Sequence, residues 1–333
     1  MSSIRFSLRA AAAGAAAVSL ALVTGCGGDA DLAVNSDGKI AVSVATVATE
    51  SCLQGYIAAD KGFFTGQGLD VDLKTVAGVP ELAAAVTSGT ANFACTAPTA
   101  TATAYVQKLG FEAVAPGVMY TPERPATWIF VPADSPITSV EQLAGKTIAV
   151  NALNTLPHLS TLATLQDAGV DPDSVNFTKL DFSNTAQAIE SKQVDAGVLQ
   201  TPFAQDAVAS GFARQLVSPY DAVNDSNPFV YTIWFGKDTA IEKNADATAK
   251  FNAAIVEASE WANDPANAAE LRAIMQKATG ISEAQLAGVE MTRYGTELTP
   301  ELLQSQLDLL QRFGAIDTTV DAADIIYTPT DAP

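Results

Sequence analysis

Few residues in this chain have the types and spacing that covalent chemistry needs. Its 333 residues include one histidine, His158, and three cysteines, Cys26, Cys52 and Cys95. A Ser-His-Asp triad would hang on His158 alone, and no G-x-S-x-G segment supplies a nucleophile. No cysteine or histidine spacing of the zinc kind and no phosphate loop occurs, so no metal or cofactor is expected. His158, at the start of a helical segment, fits a solvated or helix-dipole position better than a catalytic one. What does recur is a set of hydroxyls and amides in short turns: Thr49, Ser51 and Gln54, then Thr96 and Thr99, then Asn154 and Thr155, then Asn184 and Thr185, then Gln200. No Lys or Arg stands at those turns. Such groups bind rather than react, and they suit a small polar ligand whose negative charge, if any, is diffuse and met by helix N-termini. They are also the residues that cap helices, and capping is compatible with ligand contact. Glu50 is the exception in the set: a carboxylate at a helix start is locally favourable, but in a ligand site it repels an anion and attracts an amine.

The elements that position these turns follow one rhythm. From Lys39, short β-branched runs alternate with helical patterns: IAVSVATV (40–47) and LDVDLKTV (69–76) read as strands, LQGYIAADKGFF (53–64) and PELAAAVTSG (80–89) as helices. ANFACTA (91–97), PTATATAYVQKLG (98–110) and FEAVAPGVMY (111–120) continue as strand, helix and strand. After TWIFVPADS (127–135) the pattern restarts: helix 140–145, strand 146–151, helix 157–169, strand 174–181, helix 184–193, strand 194–200 and helix 202–211. An extended run, NPFVYTIWFGKD (227–238), then gives way to helices at 247–264, 268–278, 282–289 and 300–313. Repeated βα units predict mostly parallel sheets covered by helices on both faces. Ligands bind outside the carboxyl ends of such strands, where the turns named above fall. Trp128, with Tyr120, Phe130, Tyr231 and Trp234, could wall the site with a ring, although core packing is the plainer role for each.

Composition narrows the class. Hydrophobic residues make up 48% and charged ones 17%, which describes a compact chain rather than a disordered one. The roughly 295 residues from Lys39 onward exceed what one core usually holds, so two domains are expected. The formal charge is −19, and nucleic acid is an unfavourable partner for it. The start, MSSIRFSLRAAAAGAAAVSLALVTGC, has Arg5 and Arg9, an apolar run and small residues before Cys26, as a secretory signal does. The run is short for a membrane span. Residues 27–38, GGDADLAVNSDG, read as a flexible tether. In an exported chain, the pair left after Cys26, Cys52 and Cys95, forms either a disulfide or two buried thiols.

Two resemblances sharpen these expectations. Val23-Thr24-Gly25-Cys26 resembles the lipobox of bacterial lipoproteins, in which the cysteine is acylated and becomes the N-terminus; the alternative is ordinary cleavage near Gly25 and a free Cys26. Cleavage there removes two arginines and no acid, deepening the charge to −21. The segments GYIAADKGFFTGQGLDVDLKTVAG (55–78), ELAAAVTSGTANFAC (81–95), SVEQLAGKTIAV (139–150), QVDAGVLQTPFA (193–204) and KFNAAIVEASEWANDPANAAELRA (250–273) resemble, in order, the nitrate/sulfonate/taurine-type solute-binding proteins of ABC importers. The thiamine-precursor-like binding proteins belong to the same group. That resemblance implies an α/β, two-lobed type II periplasmic binding protein fold with two crossing segments and the ligand between the lobes. Carried onto this chain, it implies a signal peptide over 1–25, a tether over 26–38, lobe one over 39–125 plus 226–333, lobe two over 126–225, and crossings near Ala126–Val131 and Tyr220–Tyr231. It further implies a monomer, without catalysis, anchored by lipid to the outer face of the cytoplasmic membrane. Its partners would be a small-molecule ligand and permease and ATPase subunits. The ligand would be a sulfonate or taurine-like solute, or alternatively a nitrogen heterocycle or nitrate. An enzyme of pyrimidine-precursor synthesis shares the fold, but its cysteine-rich motif and active-site histidine are missing here; a lipid-anchored sensor is the other alternative.

Overall fold

The computed structural model describes residues 31–329 except 77, 202 and 287–290. The expected signal segment, the lipid-bearing Cys26 and the first part of the tether therefore lie outside the described residues. The rest of the expected tether is tied to the fold: Val34 bridges Ile40, and the backbone N–H of Leu32 donates to Asn244 Oδ1 at 3.0 Å.

In chain order the strands are β1 (Ile40–Thr46), β2 (Leu69–Thr75), β3 (Phe93–Thr96), β4 (Phe111–Pro116), β5 (Val118–Tyr120), β6 (Thr127–Pro132), β7 (Thr147–Val150), β8 (Asn176–Lys179), β9 (Ala196–Gln200), β10 (Ala213–Val217), β11 (Phe229–Val230), β12 (Ile233–Lys237) and β13 (Arg293–Tyr294). The α-helices are α1 (Leu53–Asp60), α2 (Phe63–Gly66), α3 (Val79–Thr87), α4 (Pro98–Val106), α5 (Leu156–Asp167), α6 (Phe182–Glu190), α7 (Phe203–Ala209), α8 (Asp238–Lys243), α9 (Ala245–Asn263), α10 (Ala268–Thr279), α11 (Glu283–Leu286) and α12 (Glu301–Arg312).

The strands form two five-stranded sheets, β2-β1-β3-β12-β4 and β10-β6-β9-β7-β8, and a small third one, β11-β5-β13. In the first, β1 pairs in parallel with β2 and β3, and β12 inserts antiparallel between β3 and β4. In the second, β7 pairs in parallel with β8 and β9, and β6 runs antiparallel to β9 and β10. Each sheet is thus parallel where the βα units alternate and antiparallel where the chain enters or returns.

Alternation along β6 shows how the second sheet is buried on both faces. Ile129 and Val131 join one cluster with Ile148, Val150 and Leu165, whereas Phe130 joins the opposite one with Ile189 and Leu199. The first sheet packs on α9 through rings: Phe93 stacks on Phe251 at 4.2 Å, and Trp234 meets Phe251 edge-on at 5.7 Å. Burying such rings is the largest apolar contribution a residue can make.

Four local readings change. The helix expected over 53–64 breaks into α1 and α2 at Gly62, whose φ of 78° only glycine adopts cheaply. The strand over 111–120 breaks at Gly117, where an added Cβ would lie 2.3 Å from Thr232 Oγ1. The extended run at 227–238 splits between two sheets, because Thr232 turns inward: its Oγ1 accepts from the Val118 N–H at 2.7 Å and its carbonyl accepts from the Gly117 N–H at 2.8 Å. The first crossing also shifts. Thr127 onward is already paired within the second sheet, so the link between sheets is 121–126 rather than Ala126–Val131.

Candidate functional site

The C-terminal ends of β1 and β3 face those of β7 and β9 across a cavity of about 420 Å³. This is where the strand-end rule for open α/β sheets places a ligand. Thr49, Ser51, Thr96 and Thr99 line it from the first sheet's side, and Asn154, Thr155 and Gln200 from the second's. Seven of the expected contacts are therefore brought together around one space.

Five are not among its lining residues. Glu50 turns away from the cavity and is buried, its Oε1 accepting from both the N–H and the hydroxyl of Thr292 at 2.9 Å. Gln54 is spent inside lobe one: its Nε2 donates to the Pro116 carbonyl and to Ser259 Oγ, and Trp234 Nε1 donates to its Oε1. Trp128 donates its indole N–H to the Pro125 carbonyl at 3.2 Å. Asn184 is exposed and bound to Asp181, the N-cap of α6. Thr185 is buried with its hydroxyl on the Leu180 carbonyl at 3.0 Å. Capping and local backbone bonds engage these last two side chains.

The single imidazole shapes the rim. His158 Nδ1 accepts from the Asn154 N–H at 3.1 Å, which holds Asn154 at a φ of 60°. The ring packs edge-on against Phe177 at 4.7 Å, and burial pulls its pKa down to about 4, so it is neutral near pH 7. His158 thus positions a cleft residue and, with Nδ1 accepting, carries its one proton on Nε2.

Tyrosines form the wall between the lobes. Gln200 Nε2 donates to Tyr220 Oη at 2.9 Å and to Thr127 Oγ1 at 3.2 Å, and burial pushes the Tyr220 phenol up to about 12. Tyr120 donates to Asp221 and meets Tyr220 edge-on. Tyr231 is buried, and its phenol is raised well above the usual value by burial first and then by Glu50. Glu50 is itself raised by burial, which outweighs the bonds from Thr292. Its Oε2 has no hydrogen-bond partner among the described residues.

Several lining residues escaped the sequence reading. Thr103 lies one turn beyond Thr99 on α4, so the helical period could have found it. Leu82, Leu153 and Phe182 give no signal, because apolar residues at these spacings read as core. Tyr220 and Thr232 reach the cavity only through the way the chain returns from the second sheet.

The sulfurs of Cys52 and Cys95 lie 2.05 Å apart, and both residues line the cavity. Cys52 precedes α1 and Cys95 sits in β3, so the pair lies between the turn bearing Thr49 and Ser51 and the neighbouring strand. Thr232 Oγ1 holds the same turn by donating to the Ser51 carbonyl at 3.0 Å. Among the described residues, no group of His, Cys, Asp and Glu is arranged to hold a metal, and no helix is long and apolar enough to cross a membrane.

Comparisons with known proteins agree with this architecture. The model of the family described as NMT1/THI5 like matches residues 51–269. The Bacillus subtilis binding protein YtlA is 26% identical over 208 residues, 62% of this chain and 61% of its own. An ABC transporter periplasmic binding protein of Brachyspira hyodysenteriae is 37% identical over 82 residues, 25% of this chain and 23% of that one. The chain thus spans less than two thirds of either relative's length. Among solved structures, the periplasmic aliphatic sulphonate binding protein SsuA of Escherichia coli superposes with a TM-score of 0.73 at 19% identity, covering 88% of this chain and 94% of that one. The desulfurization enzyme DszB also shares the fold, with a TM-score of 0.64 at 16% identity over 87% of this chain and 96% of that one. At these identities the superpositions establish the two-lobed periplasmic binding protein fold.

Proposed function

The chain belongs to the NMT1/THI5-like family, and from that premise we propose that it is the solute-binding component of an ABC importer. One observation carries the reading: a single cavity is lined by neutral hydroxyls and amides from both sheets, Thr49, Ser51, Thr96 and Thr99 facing Asn154, Thr155 and Gln200. Groups from two bodies around one space bind a solute by closing on it. The ligand is a small organic molecule; a sulfonate or taurine-like solute and a nitrogen heterocycle are the classes that the resemblance offers. The protein acts as a monomer outside the cytoplasmic membrane, held to its outer face through lipid on Cys26, and delivers its solute to permease and ATPase subunits.

No catalytic step is assigned. The fold also serves an enzyme, DszB. In this chain the Asn154 N–H occupies the Nδ1 lone pair of the one imidazole, which a general base would need free. Closure follows from differential affinity: a ligand touching both lobes favours the closed state, which membrane partners can read. X-ray scattering with a saturating ligand should give a smaller radius of gyration than without it, and the ligand should be recovered unchanged. Chemical conversion of the ligand would move the protein to the enzyme class, and identical profiles despite tight binding would remove closure.

A further inference from the structure

Several of the cleft's polar groups have their protons committed within the protein. A threonine hydroxyl has one proton, and once that proton is given to a carbonyl only lone pairs face outward. Thr103 donates to the Thr99 carbonyl at 2.9 Å, Thr155 to the Ala152 carbonyl at 2.8 Å, and Thr232 to the Ser51 carbonyl at 3.0 Å. Gln200 has committed its Nε2 to Thr127 and Tyr220, which leaves its Oε1. The helix ends are thinned in the same sense. α4 begins with Pro98, and α5 carries Pro157 as its second residue, so each first turn lacks one N–H. In α4 the Ala100 N–H is already taken by the Ala97 carbonyl at 3.0 Å. An anion-binding helix terminus works through those N–H groups.

Charge and shape agree. Among the described lining residues there is no Lys, Arg, His, Asp or Glu. The chain as a whole is strongly negative, which lowers the local concentration of anions. The walls are apolar: Val47, Leu82, Leu156, Pro157 and Phe182 line the cavity, and Leu153 stands on the rim 46% exposed. A second cavity of about 180 Å³ shares Thr96, Ala100 and Thr103 with the first and runs behind α4 to Phe111 and Phe235. Thr101 Oγ1, on that side of α4, is buried without a partner among the described residues.

We infer that the cleft takes an uncharged, largely apolar organic molecule, and that it discriminates against sulfonates and other anions. The inference rests on the solute-binding reading and sets aside the sulfonate and taurine-like option among its ligand classes. Burying an anion without a paired cation or a full set of donors is costly, whereas an apolar body covers Leu153 and extends behind α4.

Two dyes with one skeleton test it. N-phenyl-1-naphthylamine is uncharged with one N–H, and 1-anilinonaphthalene-8-sulfonate is the same diarylamine carrying a sulfonate; both fluoresce in apolar sites. The uncharged dye should bind the full exported chain at least tenfold more tightly. Ala100→Phe, which fills the wall shared by the two cavities from an exposed helix position, should weaken the uncharged dye at least tenfold. Leu153→Lys, on the exposed rim, should narrow the gap between the dyes by strengthening the sulfonate. Equal or tighter binding of the sulfonate dye to the unmodified protein overturns the inference. So does a lack of binding by the uncharged dye, or binding that Ala100→Phe leaves unchanged. Stabilisation by taurine or nitrate without dye binding would overturn it while leaving the importer reading intact. Failure of closure would count against that reading and not against the dye preference.

Discussion

Replacing both Cys52 and Cys95 by alanine should remove a constraint on the unfolded chain more than a contact of the folded one. The two residues are 43 apart in sequence. On the chain-entropy account, a loop of that length gives about 4 kcal/mol at 25 °C. With an unfolding entropy of about 2.1 cal/mol/K per residue, a body of roughly 295 residues changes by about 0.6 kcal/mol per degree near its midpoint, so Tm should fall by about 6 °C. Native contacts contribute little to that fall, because each substitution removes one sulfur and the turn from Thr49 to Cys52 keeps its bond from Thr232. Scanning calorimetry of the exported protein and the double variant gives the comparison, and peptide mapping without reductant checks the bond directly. Because both sulfurs lie at the cavity, the variant should also bind the uncharged dye more weakly. A Tm within about 2 °C of the parent, or recovery of both cysteines as free thiols, would refute the reasoning.

Two further outcomes follow from residues away from the cavity. Burial raises the Glu50 pKa above its ordinary 4.5, so its contribution to stability is complete below the unfolded value and is lost as pH rises through the folded one. Glu50→Gln, which keeps an oxygen for Thr292, should therefore gain in Tm relative to the parent as pH is raised from about 4.5; parallel melting profiles across pH would contradict this. Cys26→Ser expressed in the native host should move the protein from the membrane to the soluble or secreted fraction, and its retention in the membrane would end the lipid-anchor proposal.

The strand-helix order was legible because its signals are local. Apolar runs such as IAVSVAT are written in neighbouring residues, whereas Asp181, read as the end of a strand, caps α6. The turns that face the cavity were legible for the same reason, since strand ends in a parallel sheet share a side. Within those turns the sequence does not say which way a side chain points. Glu50 and Ser51 are adjacent, yet one is bound to Thr292 and the other lines the cleft. That division depends on a segment 242 residues away. Gln54 likewise looked like a binding amide and proved to be a brace for Trp234 and Ser259. The apolar walls were hidden for a different reason: Leu82, Leu156 and Phe182 obey the same periodicity whether they face a core or a cavity.

The insertion of β12 between β3 and β4 also sets an order for how the molecule can be made. A chain that emerges from its N-terminus presents β1 to β4 early, but their sheet lacks its fourth strand until Lys237 has appeared. The second sheet draws all five of its strands from a contiguous stretch, Thr127 to Val217, and can close while the rest of the first is still being delivered. Pairings of long sequence separation are slow to form, and unpaired strand edges invite association. During synthesis the half of the molecule that begins first is therefore completed last, and its open edge between β3 and β4 is the point most in need of protection until the chain returns.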